Sequence, residues 1–477
     1  MDRLPDRTAM AGWRSSGLSR GLAHSEADPR VYYWSTRLRS LYVILKFTLR
    51  RTAMALYAFD GTWNEDEESP SDDTNVVRFR DAYVGETDYA DGVGTRFGFL
   101  GKVLGGIFGA GGRTRTAEVY DALTENWNKG DQEIDIVGFS RGAALAVNFA
   151  NVIGEKGVLT ADGRMMTPPI RFLGVWDVVG SFGIPFDIGN LHFQDLNVGW
   201  NLTVPAIVVS CAHAMALDER RQTFDITRLN ENATPDNAEE MWFRGVHSDI
   251  GGGNGNVGRS GIALSWMFEK ASAAGVKVRP TAVKMAQRQS DPDAPISENL
   301  DPKKDPRRVE RGNDQYHPTA RAMELEVGDK RTFTVYSALK SNWSRVRMKR
   351  GAHYSFEIPA GDTWKDAGIT CGPEGWKTED LPFHKELIAR LAEFRRRYPG
   401  ADWFEMIGTV GDEEELFRIG AGGAQRTFTP SIDGEFAAFA NDLTSTYGNN
   451  SGEIDMTVQR VAEPGTVIES RRNSPEN

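Results

Sequence analysis

The run Ile134 to Ala150, IDIVGFSRGAALAVNFA, constrains this chain more than any other stretch. An apolar segment rich in β-branched residues, Ile134 to Val137, ends at Gly138. Ser140 sits at the centre of Gly138-Phe139-Ser140-Arg141-Gly142, and an alanine-rich helical pattern starts at Ala143. Strand, sharp turn and helix together are the context in which a serine is held exposed on a strained turn as a nucleophile. The glycines two before and two after it are required because a Cβ at either place would strike the neighbouring strand or helix. The five-residue pattern is weak by itself; the flanking strand and helix give it meaning.

A chain of 477 residues is long enough for two domains with substantial cores. No apolar run approaches the roughly 20 residues of a membrane helix. Cys211 and Cys371 lie far apart and suggest neither a disulfide framework nor a metal cluster. The net charge of −11 argues against a general nucleic-acid or anionic-membrane binder, though it leaves room for a local basic patch. The charge is uneven: residues 1–53 hold nine arginines and one lysine against four acids, a net of +6, which leaves −17 for the rest. That basic stretch lacks signal-peptide anatomy, because Leu41 to Leu45 is short and Lys46, Arg50 and Arg51 follow it. It reads either as a basic amphipathic arm or, the expectation favoured, as an extension ahead of a start at Met54.

Ala55 to Phe59 reads as a buried strand ending in the turn Asp60-Gly61-Thr62-Trp63-Asn64. Gly92 to Gly112 is glycine-rich and apolar. It lacks phosphate-loop spacing, and it reads equally as an apolar flap or a buried loop. Thr116 to Asn128 has helical periodicity. Ile170 to Trp176 is a strand that delivers Asp177. Met241 to Val246 is another, ending at His247 in His247-Ser248-Asp249-Ile250-Gly251-Gly252-Gly253, with a helix from Ile262 to Ala274. His213 lies in an apolar stretch read as helical and as a packing histidine. Strands alternating with helices imply a mostly parallel sheet covered on both faces.

Ser140, Asp177 and His247 therefore follow in the order nucleophile, acid, base, each just past a strand, where open α/β sheets place ligands. A serine hydroxyl needs a base to take its proton. His247 is suited to accept it and return it to the leaving group, and Asp177 would hold the imidazole tautomer. The Arg141 backbone N–H would form an oxyanion hole with a donor from the Gly61-Thr62 turn. Asp60 and Asp249 are rivals for the acid; Asp249 is expected to orient the His247 loop and Asp60 to shape its own turn.

Phe59-Asp60-Gly61-Thr62-Trp63-Asn64, Gly138-Phe139-Ser140-Arg141-Gly142-Ala143, Val175-Trp176-Asp177-Val178-Val179-Gly180 and Gly245 to Gly253 resemble, in order, the motifs of the GFSRGA-type α/β-hydrolases, which include phospholipase effectors of type VI secretion. The resemblance covers roughly residues 54–325. It implies cleavage of a glycerophospholipid acyl ester as a phospholipase A1 or A2, and an antibacterial toxin made in the bacterial cytoplasm without a signal peptide and exported into a target envelope. Its partners would be a phospholipid membrane as substrate, a secretion spike and an immunity protein, with no nucleic acid.

Residues 279–331 turn polar and Asp/Pro-rich and read partly as linker. Beyond them Thr332 to Tyr336 and His353 to Ile358 alternate like strands of an antiparallel sandwich. Phe436 to Ala440 precedes an oxygen-rich turn, Asn441 to Gly452, and then the alternating strand Ile454 to Val458. Asp442, Asn449 and Asn450 offer side-chain oxygens and Thr446 a carbonyl, a set that suits calcium or a plain Asn-rich turn. Asn441-Asp442 and Thr446 to Gly452 resemble the calcium loop of LecA-like galactophilic lectins, over roughly 331–461. That resemblance implies one Ca²⁺ held by Asp442, Thr446, Asn449, Asn450 and a backbone carbonyl within Trp364-Lys365-Asp366, with a surface glycan as a further partner. The lectin's sugar-contacting His and Gln have no clean counterpart, so calcium is better supported than galactose.

The expected layout is a basic extension (1–53), an α/β-hydrolase catalytic domain (54–325), a jelly-roll-like all-β sandwich (331–461) and a disordered tail (462–477). The leading reading is a serine lipolytic hydrolase with a calcium-dependent carbohydrate-binding module and no cofactor for the hydrolysis itself. Its rivals are a carboxylesterase or carbohydrate deacetylase with the same triad, and a glycan-binding protein on an inactive hydrolase scaffold.

Overall fold

The computed structural model describes residues 54–61, 73–90, 110–180, 202–221, 224–229, 237–297, 308–380, 390–420 and 426–466. Two compact units divide the chain, Met1–Arg51 and Thr52–Asn477, and every described residue belongs to the second. The 92–109 glycine run, Thr62 and the 467–477 tail lie outside the described residues.

Seven parallel strands form the first sheet: β1 (Met54–Phe59), β2 (Glu86–Ala90), β3 (Glu133–Phe139), β4 (Ile170–Trp176), β5 (Cys211–Ala216), β6 (Ala238–Phe243) and β7 (Gln315–Tyr316). Their spatial order is β2-β1-β3-β4-β5-β6-β7. Parallel strands need crossovers, and helices supply several of them, covering both faces of the sheet. Ala55, Tyr57 and Phe59 pack with α2 (Ala110–Asn128) and α3 (Ser140–Lys156) on one face. Leu56 and Ala58 pack with α1 (Asn75–Ala82), α5 (Val257–Ala273) and α6 (Pro280–Gln289) on the other. This period-2 alternation within a wholly buried strand defines an α/β fold with two cores.

One expectation needs correcting. His213 lies on β5, not on a helix. A central parallel strand is buried on both faces, so it reads as a continuous apolar run that periodicity cannot separate from a helix. The polar stretch after Arg279, read only in part as linker, also carries structure: Pro280 opens α6, where its missing N–H is harmless, and Tyr316 pairs with Trp242 at the sheet edge.

The C-terminal half forms two antiparallel four-stranded sheets enclosing one core. In chain order the strands are β8 (Lys330–Tyr336), β9 (Asn342–Met348), β10 (His353–Glu357), β11 (Trp364–Asp366), β12 (Ile369–Cys371), β13 (Met406–Val410), β14 (Glu415–Arg418), β15 (Arg426–Phe428), β16 (Gly434–Ala440), β17 (Asn450–Ser451) and β18 (Glu453–Ala462). One sheet runs β8-β18-β10-β15 and the other β9-β16-β13-β14. On β18, Ile454, Met456 and Val458 are buried while Glu453 and Asp455 are exposed, the alternation of a sheet with one dry face. The small sheet β12-β11-β17 lays Asp366 beside Asn450.

The two halves meet through charge. Arg244, at the end of β6, is buried between Asp218 (2.9 Å) and Glu435 of β16 (2.6 Å). Arg220 bonds Asp412 in the turn between β13 and β14.

Candidate active site

Strands β3 and β4 are in register, with Phe139 opposite Trp176, so Ser140 and Asp177 leave the sheet side by side. Both have left-handed backbones, φ +61° and +42°. For residues with a Cβ this is costly, and such strain collects at functional sites. The close turn explains its glycines: a Cβ on Gly138 would lie 2.8 Å from the Ala143 Cα, and one on Gly142 would lie 2.3 Å from the Asp60 carbonyl oxygen. Ser140 and Arg141 open α3, so their N–H groups are among those without intrahelical partners. Gly61 follows β1 nearby, and its N–H donates to Asp60 Oδ1 at 2.6 Å. Asp60 Oδ2 accepts from the Thr74 hydroxyl, also at 2.6 Å, and Thr74 caps α1. Asp60 thus ties the first turn to a helix cap rather than approaching His247 as an acid.

His247 begins α4 (His247–Gly251). Its Nδ1 bonds Asp177 Oδ2 at 2.6 Å. Its ring lies 4.6 Å from Phe139 and 4.8 Å from Phe224, centroid to centroid. Among the described residues Nε2 makes no hydrogen bond, and the Ser140 hydroxyl is not bonded to it. Catalytic contacts of this kind are often long before substrate arrives. Burial lowers the His247 pKa below its usual value, Asp177 opposes this, and Arg308 adds to it. The imidazole is therefore kept neutral, the form able to accept a proton.

Arg308 was invisible to sequence reasoning. It grips Asp177 with two nitrogens, 2.6 Å to Oδ1 and 3.0 Å to Oδ2, and also donates to the Ala216 carbonyl at 2.8 Å and to that of Phe224. The Ala216 N–H donates to Asp177 Oδ1 at 2.7 Å. Burial alone would raise the Asp177 pKa, but Arg308 and His247 outweigh it and hold the carboxyl far below the usual range. Arg308 falls in the polar, Asp/Pro-rich stretch 279–331, which reads partly as linker. Glu219 was missed as well: its buried carboxylate accepts from the His247 N–H at 3.2 Å.

Asp249 accepts from Ser297 (2.7 Å to its hydroxyl, 2.9 Å to its N–H), Val246 N–H, Asn254 and Asn256, and so pins the start of α4. His213 accepts from the Val178 N–H and bonds Glu240 at 3.0 Å, fixing the chain just after Asp177.

In the β-rich half, Asp442 accepts from Leu443 N–H (2.7 Å), the Thr446 hydroxyl (2.8 Å) and the Asn450 amide (3.1 Å). Asn449 is exposed beside them. The Asn450 Oδ1 is buried with no hydrogen-bond partner. Burial, and then the charge of Asp442, raise the Asp366 pKa to about 6. Two neighbouring carboxylates and an orphaned amide oxygen form an oxygen-rich set of the kind a hard cation takes.

Residues 55–169 and 162–270 match the family model described as T6SS, phospholipase effector Tle1-like, catalytic domain. No curated protein matches the chain. Among solved structures, it is similar to an uncharacterized protein from Pseudomonas aeruginosa at 23% identity and TM-score 0.36, covering 57% of this chain and 53% of that one. The chain thus spans about half the length of that relative. The Tle1 effector bound to the VgrG spike of the type 6 secretion system matches at 15% identity and TM-score 0.32, over 87% and 70% of the two chains. The EclA N-terminal domain, a PllA-like lectin, matches at 14% identity and TM-score 0.19, over 27% and 95%. The part of the chain that carries Ser140, Asp177 and His247 therefore matches the catalytic domain of the Tle1-like phospholipase effectors of type VI secretion.

Proposed function

We propose that this protein is a serine lipolytic hydrolase of the α/β-hydrolase type, a phospholipase A1 or A2 that acts as an antibacterial type VI secretion effector. The observation that carries the reading is the His247–Asp177 bond of 2.6 Å, with Ser140 beside Asp177 on a strained turn. His247 Nε2 takes the Ser140 proton as the hydroxyl oxygen attacks the ester carbonyl. The Arg141 N–H at the start of α3 stabilises the oxyanion, with the second donor proposed from the Gly61-Thr62 turn, where the Gly61 N–H would have to leave Asp60 Oδ1. Collapse expels the lysolipid, which takes its proton from His247, and leaves an acyl-serine. Water, deprotonated by His247, then releases the fatty acid. Asp177 stays ionised throughout and orients the ring.

The β-rich half is proposed as a jelly-roll-like, calcium-dependent carbohydrate-binding module that holds the enzyme against a glycan-bearing envelope. Asp442, Thr446, Asn449 and Asn450 would hold the Ca²⁺, helped by the 364–366 segment that β11 places beside β17. A secretion spike and an immunity protein are the expected protein partners. No described helix is long and apolar enough to cross a membrane. The test compares phospholipid vesicles with acetylated oligosaccharides as substrates. Fatty-acid release from vesicles is expected; activity on the sugars alone would replace this reading with a carbohydrate deacetylase.

A further inference from the structure

A cavity of about 300 Å³ lies between the start of α5, the 291–296 loop and the β8–β9 hairpin. Its lining includes Arg259, Asp291, Phe333, Tyr336, Asn342 and Trp343. Arg259 is 4% exposed, and its Nε and one terminal nitrogen are buried without any hydrogen-bond partner. Among the described residues it forms no ion pair. The neighbouring charges are already satisfied: Asp293 is held by Arg331 and Arg345, and Arg244 by Asp218 and Glu435. Asp249, the nearest acid on the histidine loop, is taken up by Ser297, Asn254 and Asn256. A buried guanidinium without a partner is strongly unfavourable, and burial accordingly lowers the Arg259 pKa to about 10.

We propose that this cavity is a binding site for a compact organic anion, its phosphate or carboxylate head held by Arg259. The planar fork of an arginine suits either head. The volume is at the small end of ligand pockets and far larger than a single water needs. Phe333, Tyr336 and Trp343 supply apolar wall for the carbon part. Asp291 lies at the exposed rim, which disfavours a dense polyanion and selects a small, lightly charged one. Because the wall is built from both halves of the protein, the bound anion would also neutralise a charge trapped at their junction.

The test is isothermal titration calorimetry on the full chain, with glycerol 3-phosphate and propionate as probes, in a buffer free of competing phosphate and carboxylate. Saturable binding of at least one is expected, and the preferred probe separates a phosphate ligand from a carboxylate one. Arg259→Gln should weaken that binding at least tenfold. Ala294→Leu, which fills the same cavity from the loop and leaves the guanidinium in place, should do the same. Failure of both probes to bind the wild-type protein overturns the proposal, as does undiminished binding in either variant. The readout is binding rather than hydrolysis, so the site stands or falls separately from the lipase reading.

Discussion

Replacing Arg308 by glutamine should do more damage than any other single change outside Ser140, Asp177 and His247. The guanidinium makes two bonds to Asp177, at 2.6 and 3.0 Å, and one to the Ala216 carbonyl at 2.8 Å. Its side chain is 4% exposed and that of Asp177 fully buried, so solvent cannot replace the lost partner. Removing one member of such a buried pair costs about 3–5 kcal/mol, a large part of the roughly 5–15 kcal/mol that stabilises a native protein. Arg308→Lys keeps the charge but loses the fork, and should fall between. The pH dependence follows with a definite sign. Arg308 helps hold the His247 pKa down, so its loss raises that pKa and moves the acidic limb of kcat/KM to higher pH. Asp177 is depressed in the folded state, so its stabilising contribution is present above the usual carboxylate range and is lost as pH falls from that range down through its lowered folded value. In Arg308→Gln that acid-induced loss should shrink. Urea unfolding at neutral pH and kcat/KM against pH on a soluble ester measure both effects. A cost below about 1 kcal/mol, or an acidic limb that stays put or moves down, refutes the reasoning.

Gly142→Ala places a Cβ 2.3 Å from the Asp60 carbonyl oxygen; overpacking against backbone should cost about 1–3 kcal/mol or more and displace Ser140, seen as a lower melting temperature with lost esterase activity. Asp442→Ala should abolish Ca²⁺-dependent retention on immobilised glycans while leaving soluble-ester hydrolysis intact; loss of both would make the β-rich half part of the active site. The Asp366 pKa is raised to about 6 in the folded protein, so its effect on stability has the opposite sign to that of Asp177. Calcium-free protein should lose stability as pH rises from the ordinary aspartate range through about 6, Ca²⁺ should restore it, and Ca²⁺ affinity should fall as pH drops through 6, all by thermal unfolding. Glu435→Ala leaves the buried Arg244 with Asp218 alone and should lower the unfolding midpoint of the whole protein.

The sheet was legible because its strands advertise themselves: Ile134 to Val137 and Ile170 to Trp176 are apolar runs that stop at Gly138 and Asp177. Candidate site residues placed at strand ends, such as Asp177 and His247, inherit that visibility. Arg308 and Glu219 do not, since they reach the site from segments with no periodicity, where a charged residue normally signals solvent. His213 misled for the reverse reason, because a strand dry on both faces hides its period. In the β-rich half the alternation of β18 and the oxygen-rich turn could be read directly. The approach of Asp366 to Asn450 could not, because it depends on a short strand pairing across more than eighty residues of chain.

The central claim is that Ser140 is the nucleophile, and covalent trapping tests it most directly. Treating the intact protein with a fluorophosphonate and mapping the adduct by mass spectrometry should place one label on the Ser140 peptide, with fatty-acid release from phospholipid vesicles lost in parallel. Ser140→Ala should take no label and release no lipid while folding normally. A label elsewhere, or vesicle hydrolysis that persists in folded Ser140→Ala, would contradict the account.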